Sequence, residues 1–400
     1  MKENVEAFCK KYAVERRGSG SLKWDALEER FGNKDLLAMW VADMEFMAPE
    51  EVREALVKKA AHGAFGYSLT PDEYYETILD WHKKRHQIEV KKEWLRFSHG
   101  VVSAVYYLVN AFTEPEDRIL ILTPLYYPFR KIGKDTGRKV VQLELLENSD
   151  GSYDIDFEAF ERKIIEENVK IFIQCSPHNP IGRVWSEEEL KKVMDICLAH
   201  NVLVVSDEIH QDITRPGVEF FGALRMGEEY YSNLIVVNAA TKTFNLAALL
   251  HSQIFIPDEK KREIYDTHVR SFQHSDSSIF GIEATKAAYQ HGEEWLDAFL
   301  EVLDYNFKML KNILNEQAPL IQITELQGTY LAWLDLRQYL KAEQVEPFMQ
   351  DVCGLAINYG EWFGEQAKGF IRINLATEPR YVKYAAEVIA EKITDYQKEK

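Results

Sequence analysis

Four chemically specialised residues stand in a telling order along the chain: Tyr126 in Pro124-Leu-Tyr-Tyr-Pro-Phe129, Asn179 in Pro177-His-Asn-Pro180, Asp207 in Ser206-Asp-Glu-Ile-His210, and Lys242 in Thr241-Lys-Thr-Phe-Asn245. A lysine amine can hold an aldehyde cofactor as a Schiff base, a carboxylate can keep a pyridine nitrogen protonated, and a flat phenol can stack on the ring. These are the requirements of pyridoxal phosphate chemistry. Taken singly, each residue has a plainer reading: a solvated lysine, a capping aspartate, a packed tyrosine, an asparagine in a rigid turn. Their combination favours the cofactor.

Other residues extend the set. His210 would reach the phenolic oxygen of the ring or serve the core. Ser98-His-Gly100-Val-Val102 opens an apolar helical pattern running to Phe112, where free backbone N–H groups beside a glycine make a phosphate site, or where Ser98 simply caps the helix. Arg372, alternating with apolar residues in Phe370-Ile-Arg-Ile-Asn374, would clamp a carboxylate if it faces inward and is a surface charge if it faces outward. Tyr67, after Phe65-Gly66, is either a packed aromatic or a phenol that reaches a phosphate. No Gly-x-Gly-x-x-Gly and no Gly-x-x-x-x-Gly-Lys-Ser/Thr occurs, which argues against a dinucleotide or nucleoside triphosphate site.

The elements that must position these residues alternate through the middle of the chain. Apolar runs 118–122, 139–145, 169–174, 202–206 and 234–238 read as strands, and Ser186 with Glu189 forms a capping box ahead of a helix over 186–200. Alternating units of this kind predict an α/β fold with a mostly parallel sheet covered by helices on both faces. Ligands of such sheets gather at the carboxyl ends of the strands, where Asn179, Asp207 and Lys242 all fall. A charged helix over 286–316, strands at 329–335 and 369–374 and a last helix over 379–397 predict a smaller α+β domain. The expected division is an N-terminal segment, 1–50, that joins the small domain, a large domain, 51–285, and the small domain, 286–400.

At 400 residues with 46% hydrophobic content, the chain is long enough for two cores. A net charge of −17 carries no footprint for nucleic acid or an anionic membrane. No apolar run reaches the roughly 18 residues needed to span a bilayer, and a cytoplasmic protein acting on small molecules is expected. Neither the four cysteines nor the eleven histidines cluster with metal-ligand spacing, so no metal site is predicted.

The combination resembles the fold type I pyridoxal phosphate enzymes of the class I/II aminotransferase-like group. Within that group the chain is most similar to the cystathionine β-lyase, or C–S lyase, branch of MalY/PatB type. The matching segments run nearly end to end, through Lys23-Trp-Asp25, Val41-Ala-Asp-Met44, Gly100-Val-Val102, Pro177-His-Asn-Pro180, Ser206-Asp-Glu-Ile-His210, Lys242-Thr-Phe-Asn245, Gly328-Thr-Tyr-Leu-Ala-Trp333 and Phe370-Ile-Arg-Ile-Asn374.

The resemblance implies that Lys242 is the catalytic Schiff-base lysine and Asp207 the partner of the pyridine nitrogen. It further implies that Asn179 and His210 contact the phenolic oxygen, that Tyr126 stacks, and that the backbone of Gly100, Val101 and Val102 holds the phosphate. Thr241 belongs to the same cofactor-binding set. Arg372, with Asn179 and Tyr67, is implied in substrate binding, and Tyr67 also reaches the phosphate from a second subunit, which makes a homodimer the expected assembly. The implied reaction is β-elimination from an S-substituted L-cysteine such as cystathionine. The alternatives are an aminotransferase of amino and keto acids, and a regulatory binding protein that retains the cofactor.

His210 stands where many aminotransferases have tyrosine, and Leu250 where they often have an arginine. Against the lyase pattern, Glu45 replaces the common aspartate and His99 a proline before Gly-Val-Val.

Overall fold

Seven strands build the large sheet of the computed structural model, which describes residues 2–272 and 277–398. In chain order they are β1 (Leu95–Ser98), β2 (Arg118–Thr123), β3 (Lys139–Glu144), β4 (Val169–Cys175), β5 (Leu203–Asp207), β6 (Leu234–Asn238) and β7 (Ser252–Phe255). Across the sheet the order is β1-β7-β6-β5-β4-β2-β3. The five strands from β6 to β3 are parallel, and β7 and β1 add antiparallel pairs at one edge.

Side-chain alternation explains why the central strands read as continuous apolar runs. Ile119, Ile121, Ile171, Ile173, Val205 and Val237 pack on one face of the sheet, whereas Leu120, Leu122, Phe172, Val204 and Val236 pack on the other. A strand buried on both faces has no polar side to show. Each such side chain contributes about 1.5–3 kcal/mol of transfer free energy.

The capping box at Ser186 forms as expected. Its hydroxyl accepts from the Glu189 N–H, the Glu189 carboxylate accepts from the Ser186 N–H, and the helix runs Glu187–Ala199. The single charged helix expected over 286–316 is instead two, Ile279–His291 and Glu293–Gln317, divided at Gly292. A Cβ at Gly292 would stand 2.4 Å from both the Ala288 carbonyl and the Phe244 ring, so only glycine allows this approach.

A second, antiparallel sheet holds β8 (Gln322–Ile323), β9 (Leu331–Asp335), β10 (Asn358–Tyr359) and β11 (Phe370–Asn374) in the order β8-β9-β11-β10. The N-terminal segment reaches the same part of the molecule: Leu37–Ala38 pairs in parallel with Leu355–Ala356, and Phe8 packs edge-on against Trp295 at 5.4 Å. None of the described helices is long and apolar enough to cross a membrane.

Candidate active site

Three adjacent strands end at one rim. The register sets Cys175 of β4 beside Asp207 of β5, and Asp207 beside Val237 of β6, so the segments carrying Asn179, Asp207 and Lys242 leave the sheet together. Asp207 is the last residue of its strand and is 4% exposed. Among the described residues its Oδ1 accepts only the Ile209 N–H, at 3.1 Å. Burial pushes its carboxyl up to about 7, against the lowering effect of that N–H and of Lys242.

Lys242 lies in a one-turn helix, Ala240–Thr243, directly after β6. Its Nζ donates a 2.6 Å hydrogen bond to the carbonyl oxygen of Ala42. Burial lowers the amine to about 8; Asp43 opposes the fall, the Arg372 charge adds to it, and Asp207 opposes it. Thr241 beside it is buried.

Arg372 faces inward, on β11 of the smaller sheet, and is 3% exposed. Its Nη1 donates to Asn179 Oδ1 at 2.8 Å, Nε and Nη2 both donate to Asn358 Oδ1, and Nη2 also donates to the Trp40 carbonyl at 3.1 Å. The guanidinium lies over the Phe363 ring at 4.7 Å. Burial lowers it to about 10. Because a guanidinium only donates, the Asn179 atom facing it is the oxygen, and the amide NH₂ is left to donate elsewhere.

His210 is buried with its edge toward Tyr330 at 5.7 Å, and its Nδ1 has no hydrogen-bond partner among the described residues. Burial, with the Lys242 and Arg372 charges, holds its imidazole well below the ordinary range. It is therefore neutral. Tyr126 is tied to the site through its own N–H, which bonds the Asn179 carbonyl at 3.1 Å, and burial pushes its phenol up to about 12.

Gly100, not Ser98, is the N-cap of the helix Val101–Phe112. Ser98 is the last residue of β1, paired with Ser252 of β7, and its hydroxyl makes no hydrogen bond among the described residues, so the sequence reading of a serine cap does not hold. Gly100 takes φ +117°, a conformation closed to most side chains, and no side chain caps the helix. The first amides, at Gly100, Val101 and Val102, stand ready for an anion. Tyr67 is fully exposed, on the irregular stretch 63–71, and the structure does not bring it into the cleft of its own chain.

A short strap, residues 40–46, contributes what the sequence reading missed. The Ala42 carbonyl accepts from Lys242 and from the Tyr330 hydroxyl at 2.8 Å, and the Val41 and Asp43 carbonyls accept from Asn374. Asn245 bonds the backbone of Met44 and Phe46. Backbone acceptors leave no side-chain signature; only the Val-Ala-Asp-Met motif marks the place. Asn358 carried no signal of its own.

This donor set fits a phosphorylated pyridine aldehyde: an amine of lowered basicity, a buried carboxyl short of partners, an amide and an imidazole with unused nitrogens, a flat ring, and an uncapped helix start.

The chain matches the family model for aminotransferase class I and II over residues 34–389. It is 37% identical to cystathionine beta-lyase PatB of Bacillus subtilis, across 90% of this chain and 93% of that protein. The crystal structure of cystalysin from Treponema denticola, which contains a pyridoxal 5′-phosphate cofactor, superposes with a TM-score of 0.92 at 34% identity, covering 96% of this chain and 98% of that one. The pyridoxal-phosphate-bound C–S lyase from Staphylococcus hominis is similar at a TM-score of 0.88 and 34% identity, over 95% and 96% of the two chains.

Proposed function

The chain belongs to the aminotransferase class I and II family, and on that premise we propose that it is a C–S β-lyase. It cleaves L-cystathionine or a related S-substituted L-cysteine by β-elimination to a thiol, pyruvate and ammonia, and its cofactor is pyridoxal 5′-phosphate. Similarity to cystathionine beta-lyase PatB and to a C–S lyase supports the elimination, and the observation that carries the cofactor and an amino-acid substrate is a cleft holding three charge-bearing side chains, Lys242, Asp207 and Arg372, none of which forms a salt bridge among the described residues. Folding an unpaired charge into a protein interior is costly. Each of the three finds its complement in one ternary assembly of cofactor and amino acid.

When bound, pyridoxal phosphate supplies an electron sink for the pair left by the departing α-proton. Asp207 would keep the ring nitrogen protonated, the Asn179 amide and His210 would meet the phenolic oxygen, and Tyr126 would cover one face. The amides of Gly100, Val101 and Val102 and the neighbouring Thr241 would hold the phosphate. Arg372 draws in the substrate carboxylate by charge-assisted hydrogen bonds. Lys242, with its amine lowered to about 8, is partly unprotonated near neutral pH and takes the α-proton. The Cβ–S bond then breaks, the thiolate leaves with the bonding pair and is protonated, and hydrolysis of the three-carbon remainder gives pyruvate and ammonia.

The same reading makes the protein a homodimer in which Tyr67 completes the neighbour's site; the exposed side chains of Phe65, Tyr67 and Leu69 on one irregular stretch support it. It divides the chain at about residue 50, with the first segment joining the smaller domain, and at Gly292 rather than at 285, which falls inside the helix Ile279–His291. Four buried free cysteines suit the reducing cytoplasm.

The test is to incubate the cofactor-loaded protein with L-cystathionine, with and without 2-oxoglutarate, and to quantify pyruvate, thiol and glutamate. Pyruvate and thiol formed independently of the keto acid establish β-elimination. Glutamate formed only with the keto acid replaces the lyase reading with an aminotransferase.

A further inference from the structure

The strap that holds Lys242 and Arg372 is itself held by a buried cluster of charges. Lys23 is 1% exposed, and its Nζ lies 2.8 Å from Glu45 Oε1 and 3.7 Å from Asp43 Oδ1. Arg16 pairs with Asp43 at 2.8 Å and with Glu45 at 3.4 Å, and the Trp24 indole donates to Glu45 Oε2 at 2.8 Å. Asp43 and Glu45 directly follow the stretch of the strap whose Trp40 and Ala42 carbonyls receive Arg372 and Lys242.

We propose that Glu45 and Lys23 are positioning residues for Lys242: they seat the strap and share out the charge of Asp43, and so set the affinity of the Lys242 nitrogen for a proton. The proposal rests on the reading of Lys242 as the cofactor lysine. Lys242 is faced by Asp43 from the strap, by Asp207 and His210 from the end of β5, by Arg372 from β11, and by Tyr330, which shares the Ala42 carbonyl. Asp43 is thus the acid on the strap side. Its Oδ2 is paired with Arg16 at 2.8 Å, while its Oδ1 has no hydrogen-bond partner among the described residues, so the charge left to act on Lys242 depends on how far Lys23 is occupied elsewhere. With Glu45 in place, Lys23 sits 2.8 Å from Glu45 and only 3.7 Å from Asp43. Without the Glu45 charge, Lys23 turns to Asp43 and neutralises it.

Removal of the negative charge in Glu45→Gln therefore disfavours the protonated form of Lys242, and removal of the positive charge in Lys23→Met favours it. The experiment follows the visible absorbance of the loaded protein against pH. Glu45→Gln should lower the midpoint and Lys23→Met should raise it, each by roughly half a pH unit. Glu45→Asp, which keeps the charge, should stay near the wild type. Non-specific damage to the fold would move both charge variants the same way. Thermal unfolding of the cofactor-free proteins reports that damage separately.

If either single variant fails to fold, the double variant Lys23→Met/Glu45→Gln, with no uncompensated member of that pair, decides: the proposal requires its midpoint to return toward the wild type. A loaded wild type whose variants share one midpoint, or shift in one direction, overturns the inference alone. A wild type that carries no cofactor on Lys242 overturns the functional reading and the inference with it.

Discussion

Asn179 and Arg372, 193 residues apart in the chain, are joined by a 2.8 Å hydrogen bond from the guanidinium Nη1 to the amide oxygen. One contact thereby links the turn after β4 to the central strand of the smaller sheet. It leaves the amide NH₂ pointing its donors at whatever occupies the cleft. It also fills one acceptor position around an arginine that has no carboxylate partner among the described residues.

Asn179→Asp places such a partner there. The new ion pair should raise the stability of the cofactor-free chain by about 1–3 kcal/mol, because it answers a buried cation. The same substitution should raise KM for the amino acid on the order of 10- to 100-fold, since the substrate carboxylate must now compete for Arg372. Thermal unfolding and steady-state kinetics check the two opposite signs.

Lys242→Ala should reduce elimination on the order of 10³-fold or more, with loss of the covalently held cofactor. In the cofactor-free wild type, the Lys242 amine should react with trinitrobenzenesulfonate along a titration centred near pH 8, where burial places it. Peptide mapping across pH identifies the residue, and an ordinary lysine midpoint near 10.5 would contradict the buried environment.

Glu208, next in the chain to Asp207, offers a stability test. Its Oε1 accepts from Ser206 and from the Ala223 N–H, its Oε2 has no partner among the described residues, and burial pushes the carboxyl from 4.5 up to about 7. The folded chain thus keeps a proton that the unfolded chain releases above pH 4.5, so stability from this group declines as pH rises toward and through 7. Glu208→Gln removes that slope. The variant should match the wild type near pH 4.5 and exceed it at pH 8 by about 1–3 kcal/mol, measured by denaturant unfolding.

A mixing experiment addresses Tyr67. Tyr67→Ala and Lys242→Ala should each be nearly inactive alone. If Tyr67 serves the neighbouring subunit, refolding the two together should restore about a quarter of wild-type activity, since half the dimers are mixed and half their sites are intact. No recovery on mixing would place Tyr67 in the site of its own chain or in neither.

Ser186→Ala should destabilise the chain by about 1 kcal/mol through loss of the capping box while leaving kcat and KM unchanged. Denaturant midpoints with parallel kinetics separate the two effects.

The central strands were legible because burial on both faces makes them uniformly apolar, and the helix after Ser186 because its cap is written in two residues. The two antiparallel strands at one side of the sheet, Leu95–Ser98 and Ser252–Phe255, were not legible. Each is four residues long and carries buried polar groups, such as Gln253 bonding Tyr74 and Ser252 bonding the Ser98 carbonyl, that hide a core position behind a hydrophilic letter. The break at Gly292 was masked by the helical pattern on either side. Lys242, Asp207, Asn179 and Arg372 could be picked out because chemistry of that kind requires particular side chains. The strap over residues 40–46 works through carbonyl oxygens, which every residue has, so the Val-Ala-Asp-Met motif marked its place but not what it does.

The strap also sets an order of events in the life of the chain. It is made 200 to 333 residues ahead of the side chains that grasp its carbonyls, those of Lys242, Tyr330, Arg372 and Asn374. The cleft cannot be assembled before those residues have been made: its front wall is made first and fastened last. Until the segment carrying Arg372 and Asn374 has been made, the chain offers no finished seat in which a reactive aldehyde could lodge.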